Sequence, residues 1–523
     1  MAECVEPVKL TGWLGLTIAA LILLGCGAAI LVLIDISGGA FTLSPADLAA
    51  IRFTLVQAGL SAVGSIVIAV PLARALARRR FPGRDAVVTA LGAPFLLPVL
   101  VAVLGLLAIW GRNGALSSFL EALGAPRLNI YGLTGVVLAH LFFNIPLVTR
   151  LLLQGWASIT AEHFRLGHQL GFGPYVRFRL IELPMLRTVL PGAGLLVFLL
   201  CITSFAIALT LGGGPKATTV ELAIYQAIRF DFDLTRAGML AAIQTLLCLL
   251  VAGGAMLTGT PGEARAGMIR AEGAAGRDGL YLDYTIIGAA GMFLAAPVGV
   301  VILRGALTLT DLPASVVEAA IRSILVAITS AALSVTVGLA IAVGLVRLAI
   351  FRPLLARLGE GAILIVLAIS PFVLATGWFI LLRGHVDPFA IALPMVVGIN
   401  ALMALPFALR SFVPAVALAE RTDGRLADML GLTGATRLRH VLLPHMRGPV
   451  AFAAGLAAAL SMGDLGVIAL FGSTSTATLP LVMYQLMGAY RMEAAAGAAL
   501  LLLILSFGLF AAIDRMGKTN DRI

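Results

Sequence analysis

Long apolar runs separated by short polar loops cover most of the chain, and each run is close to the length of a membrane crossing. A helix rises about 1.5 Å per residue, so roughly 20 apolar residues cross a hydrocarbon core of about 30 Å. The pattern predicts twelve helical spans, near 12–34, 52–73, 86–110, 131–153, 190–211, 237–258, 284–305, 320–346, 361–382, 390–410, 449–471 and 494–513. A β-barrel would alternate apolar and polar positions over segments of about ten residues, and that period is absent. The fold class is therefore an all-α polytopic membrane protein in a lipid bilayer. The first run, about Trp13 to Ile34, is too long for the core of a cleaved signal and reads as a retained span.

Polar positions inside this pattern repeat. RLGHQLGFGPYVRFRLIELP, Arg165 to Pro184, returns as RLADMLGLTGATRLRHVLLP, Arg425 to Pro444. Gly171 and Gly431 stand 260 residues apart, as do Pro184 and Pro444, and Ile181 or Val441 precedes each Leu-Pro by two positions. AIRFTLV at Ala50–Val56 matches AIRSILV at Ala320–Val326, and Tyr225-Gln226 matches Tyr484-Gln485. The order is the same in both copies, so the chain reads as a parallel duplication. The expected division is a first repeat over 1–258, a linker over 259–282 and a second repeat over 283–523, with about six spans in each repeat.

Composition agrees: 60% of residues are hydrophobic and 12% charged, about half the charge of a soluble protein, and the mean hydropathy is +1.05. The net charge of +10 comes from arginines on alternate loops, which argues against a nucleic-acid partner. With the N-terminus inside, 26 Lys and Arg fall on inner loops and 10 outside or near the outer ends. Positive charge is retained on the cytoplasmic side, so both repeated loops and both termini are expected there. Cys4, Cys26, Cys201 and Cys248 show neither CxxC nor metal-ligand spacing and read as free thiols, and no metal site is expected.

Within each repeated loop the glycine suits the positive φ that ends one short helix before another begins. The proline suits the first turn of the next span. Two such helix-turn-helix knobs suit a two-fold symmetric partner. The loop resembles the EAA loop of ABC importer permeases, which docks into a groove of the ATP-hydrolysing subunit. Arg165 and Arg425 stand where that motif has glutamate, and Leu166-Gly167 and Leu426-Ala427 replace its two alanines. Gly171, Ile181, Leu183, Pro184 and Gly431, Val441, Leu443, Pro444 carry the rest of the pattern. ARALARRRFPGR, GVVLAHLFFNIPLVTRLLLQ, LGGGPKATTVELAIYQAI and GDLGVIALFG are together similar to the thiamine ABC transporter permeases. The resemblance implies a bacterial inner-membrane subunit with no cofactor, two ATP-binding subunits and a periplasmic thiamine-binding protein as partners, and thiamine or its phosphate esters as substrate. Fused iron(III) permeases share the architecture, and a twelve-span secondary transporter is the rival from another class.

Met516–Thr519 reads MGKT, but a phosphate-binding loop needs glycine where Ala512 stands, so ATP must be hydrolysed on another polypeptide. Asp464 lies deep in an apolar run, either as a hydrogen-bonded structural acid or as a lining of the translocation path. Ser204 is its counterpart in the first repeat, and Tyr225 and Tyr484 are further pathway candidates at the outer side. Asn144 and Asn400 read as hydrogen bonders between helices or as pathway residues.

Overall fold

The computed structural model describes residues 10–36, 43–257, 279–366, 369–473 and 475–518. Cys4 and most of the expected linker lie outside the described residues. Helices in the first repeat are α1 (Leu10–Ile36), α2 (Pro45–Arg78), α3 (Arg84–Ala90), α4 (Ala93–Leu96), α5 (Val99–Trp110) and α6 (Ala115–Ala122). They continue as α7 (Leu133–Ser158), α8 (Ala161–Gln169), α9 (Pro174–Arg177), α10 (Leu183–Ile202), α11 (Phe205–Leu211), α12 (Val220–Arg229) and α13 (Leu234–Leu257). From the end of the expected linker onward lie α14 (Leu280–Thr308), α15 (Ala314–Phe351), α16 (Pro353–Ile365), α17 (Pro371–Leu382), α18 (Ala392–Met429) and α19 (Gly434–Arg437). The series closes with α20 (Leu443–Met462), α21 (Gly466–Phe471), α22 (Leu479–Gly488) and α23 (Met492–Lys518).

Among the described residues, 11 helices are long and apolar enough to cross a membrane, against twelve expected. The difference is the span expected at 361–382, which falls on α16 and α17. Proline cannot donate to the preceding turn, so Pro371 starts a helix instead of continuing one. Ser370 caps it, its hydroxyl accepting the Phe372 N–H at 3.2 Å. The span expected at 86–110 is likewise divided, with new helices beginning beside Pro94 and Pro98.

The chain forms two compact units, and their borders cut across the repeats. Unit 2 comprises residues 42–223 and 246–304. Its core is built where α2 presents Ala58, Ala62, Ala69 and Ala73 to Val148, Leu152 and Trp156 of α7 and to Val189 and Val197 of α10. Lipid is as apolar as leucine, so small residues earn their place here by letting helices approach closely. The first helix of the second repeat, α14, also belongs mainly to this unit. Ile286, Ile287, Phe293 and Leu294 pack on Leu72, Leu76, Leu91 and Ile145, and Arg79 Nε meets Asp283 Oδ2 at 2.6 Å.

Unit 1 comprises residues 1–41, 224–245 and 305–523. Here α15 packs against α18 and α20, and Gly338 gives Leu405, Ala408 and Phe412 of α18 room to approach. The first helix of the chain, α1, lies in this unit with second-repeat helices. Gly15 sits against the backbone of Ala340, Ala29 sits against Gly377, and Trp378 Nε1 donates to the Gly25 carbonyl at 3.4 Å. The first helix of each expected repeat thus lies in the unit made mostly of residues from the other.

Candidate functional site

The repeated loops adopt one backbone design twice. In the first, α8 ends at Gly171, whose φ is +67°. Gly171 N–H donates to His168 O at 3.1 Å and Phe172 N–H to Gly167 O at 2.8 Å. In the second, α18 ends at Gly431 with φ +64°. There Gly431 N–H donates to Asp428 O at 3.1 Å and Leu432 N–H to Ala427 O at 2.9 Å. This is the Schellman pairing, which satisfies carbonyls that a helix end leaves unpaired. A one-turn helix follows, α9 or α19, then a π-turn, Phe178–Glu182 or Leu438–Leu442, which runs straight into α10 or α20. Leu183-Pro184 and Leu443-Pro444 form the first turn of those spans. Ile181 and Val441 fall within the π-turns, Val441 buried and Ile181 partly so.

Side-chain volumes in the two loops are matched differently. A Cβ on Gly167 would come within 3.2 Å of both Ile181 and Phe172. The second loop has Ala427 at that position, with the smaller Leu432 and Val441 at the other two. The ion pairs differ as well. Glu182, buried in the first π-turn, is held by Arg74 of α2 at 2.5 Å, and Arg74 stacks over Phe178 at 5.1 Å. In the second loop Arg437 binds Glu420 and Asp428, and His445 approaches Asp423 at 3.3 Å. Arg165 and Arg425 are exposed. So are large apolar side chains on both loops: Leu166, Leu170 and Tyr175 in one, Leu426, Met429 and Leu430 in the other.

At their far ends from the loops, α10 and α20 each stop and restart after a short break. Ser204 stands in the first break and Asp464 in the second, 260 residues on. Ser204 Oγ donates to Cys201 O at 3.0 Å and lies 2.7 Å from His140 Nε2. His140 Nδ1 is 3.1 Å from Ser61 Oγ, so the chain of bonds is satisfied with the proton on Nε2. Asn144 bridges α7 to α10 through Cys201 Sγ at 3.3 Å, and Asn400 bridges α18 to α20 through Ser461 Oγ at 2.9 Å. His140 escaped the sequence reading because one histidine in an apolar helix carries no pattern of its own. Its position 260 residues before Asn400 was the available signal.

Tyr225 and Tyr484 come together in unit 1, both half-buried and within electrostatic reach of each other. The Tyr225 ring meets Phe230 at 5.8 Å and Phe372 at 6.3 Å. Asp464 belongs to this unit, whereas Ser204 belongs to unit 2. Duplicated caps hold the start of α12 and α22: Thr54 Oγ1 accepts the Val220 N–H at 2.9 Å, and Ser323 Oγ accepts the Leu479 N–H at 2.8 Å. Met516–Lys518 continues helix α23, and Thr519 lies outside the described residues. Cys26, Cys201 and Cys248 are buried free thiols.

Among the described residues, two matching polar loops each run directly into a helix within a stretch long and apolar enough to cross a membrane. No family model matches the chain. The chain is 42% identical over 463 residues to the thiamine transport system permease protein ThiP of Brucella abortus, covering 87% of this chain and 85% of that protein. Identity is 40% over 462 residues to the protein of that name from Salmonella typhimurium, covering 86% of each chain. It is 39% over 466 residues to that from Escherichia coli, covering 87% of this chain and 86% of that one. The chain belongs to the family of thiamine transport system permease proteins.

Proposed function

We propose that this chain is the transmembrane subunit of an ABC importer that moves thiamine, or its phosphate esters, inward across a bacterial inner membrane. The observation that carries the reading is the repeated loop, in which the turn glycine, the one-turn helix, the π-turn and the Leu-Pro entry recur in the same order. Relatives of that name, alike over most of both chains, supply the substrate. A molybdenum transport permease of Azotobacter vinelandii aligns 82% of its own length with 188 residues, 36% of this chain, at 30% identity. That size suits a chain made of two permease-sized repeats, over 1–258 and 283–523.

ATP hydrolysis belongs to a separate subunit in two copies, one for each loop. Each loop offers its exposed apolar side chains to a groove of that subunit, with Arg165 or Arg425 at the rim. Because the π-turn is continuous with the span, a tilt of the one-turn helix is passed directly to α10 or α20. Each of these helices has 20 residues, so it acts as a lever of about 30 Å between the loop and the break at Ser204 or Asp464. Ser204, Asp464, Tyr225 and Tyr484 line the path. A periplasmic thiamine-binding protein delivers substrate to the outer face, where a polar cavity of about 790 Å³ opens among Arg112, Glu121, Arg127, Asn129, Tyr131 and Gly213. Both termini and both repeated loops face the cytoplasm.

Deleting the gene in a strain unable to make thiamine is expected to raise its external thiamine requirement, and the intact gene to restore it. Unchanged thiamine uptake after deletion, with no second thiamine transporter present, overturns the substrate assignment.

A further inference from the structure

Asp464 is less well satisfied than the smaller residue that occupies its place in the first repeat. Its Oδ1 accepts the Gly466 N–H at 3.1 Å, while its Oδ2 is buried and receives no donor from the protein. Ser204, by contrast, is bonded on both sides, to His140 and to Cys201 O. A carboxylate is costlier to bury than a hydroxyl, and a buried polar atom without a partner calls for a physical explanation. The nearest side-chain network, Asn400 to Ser461 to Ser330 at 2.9 and 3.4 Å, reaches Asp464 through Asn400 and is neutral, so it leaves the carboxylate without an opposite charge. The residue is only partly covered and stands where the helix is broken. Broken helices at membrane depth are where transport proteins place their contacts to charged solutes.

We propose that Asp464 Oδ2 is the transient counter-ion of a fixed positive charge on the transported solute, a quaternary ring nitrogen. The inference rests on the thiamine reading above, because the thiazolium ring carries such a charge. A quaternary nitrogen has no proton to donate, so it needs a negative charge and not a hydrogen-bond acceptor. One carboxylate with no further charged partner favours a cation while leaving it free to depart, which conduction requires.

The test reconstitutes this chain with its ATPase and binding protein in proteoliposomes. Uptake of thiamine is compared with uptake of its neutral isostere, in which an uncharged thiophene replaces the thiazolium. Asp464→Asn is expected to lower the thiamine-to-isostere uptake ratio about tenfold, the scale of losing one partly screened charge–charge contact. Asp464→Ser, which installs the first-repeat residue, is expected to do the same, and Asp464→Glu to keep the preference. A structural role would reduce both substrates together. A ratio unchanged in the Asn and Ser variants overturns the proposal. So does a sodium dependence of wild-type uptake that Asp464→Asn abolishes, since the occupant would then be an inorganic cation. Wild-type proteoliposomes that import no thiamine at all overturn the functional reading itself.

Discussion

Replacing Gly431 separates the conformational demand of the loop from its packing. A Cβ at Gly431 or Gly171 meets nothing within 4 Å, so added volume has room and the cost comes from φ alone. An L-residue in the left-handed region loses about 1–2 kcal/mol, β-branched residues are genuine outliers there, and asparagine is tolerated. Two kcal/mol is about a 30-fold change in an equilibrium. Without the turn, Gly431 and Leu432 lose the carbonyls of Asp428 and Ala427, and α19 no longer sits at a fixed angle to α20. The expected order of ATPase-subunit retention is glycine, asparagine, alanine, valine. Gly431→Asn should fall about twofold, Gly431→Ala about fivefold and Gly431→Val about 30-fold, with membrane abundance unchanged. The assay is capture of the ATPase subunit on solubilised chain, run beside thiamine uptake. Asparagine and valine differ little in size, so equal damage by both would refute the conformational argument. Normal uptake by a Gly171→Val, Gly431→Val double variant would refute the coupling role of the loops.

Three further outcomes follow from the same contacts. Gly167→Ala crowds Phe172 and Ile181 and should destabilise the solubilised chain by about 1 kcal/mol, recovered when Phe172→Leu and Ile181→Val restore the second-loop set; thermal unfolding of the four combinations measures the coupling. Arg79→Ala removes the bonded partner of buried Asp283, leaving only the weaker charge interaction with Arg78, and should cost about 3 kcal/mol, whereas Arg79→Met with Asp283→Leu should recover most of it in the same assay. Single cysteines at Arg80, Arg179 and Arg439, in a chain without its native cysteines, should resist membrane-impermeant thiol reagents added outside intact cells, while one at Lys216 should react. All four positions are exposed, unlike neighbouring Arg79, and outside labelling at Arg179 or Arg439 would reverse the orientation.

The spans were legible in the sequence because an apolar run long enough to cross a bilayer has few other uses, and the duplication was legible as a direct comparison of residues. The turn at Gly171 and Gly431 was also readable, since the Schellman turn is local and depends on one residue that accepts positive φ. By contrast, the stretch expected as one span at 361–382 falls on two shorter helices, α16 and α17, because hydropathy counts Pro371 as one residue among many, whereas its missing N–H starts a new helix.

What only the tertiary structure decided depends on distant partners. Nothing in α1 states that its Gly15 and Ala29 will meet Ala340 and Gly377, because a uniformly apolar helix has no face that names its neighbour. Arg79 is one arginine in a run of three, and only the placement of α14 singles it out by bringing Asp283 to it. Asp464 and Ser204 were visible as polar residues in apolar runs. That one is satisfied and the other keeps a bare carboxylate oxygen depends on His140 and Cys201, brought to Ser204 by the packing of α7 and α10. Periodicity and length fix what a segment is, since those terms are local. Which segment it touches is set by close packing between surfaces that the one-dimensional pattern leaves nearly equivalent.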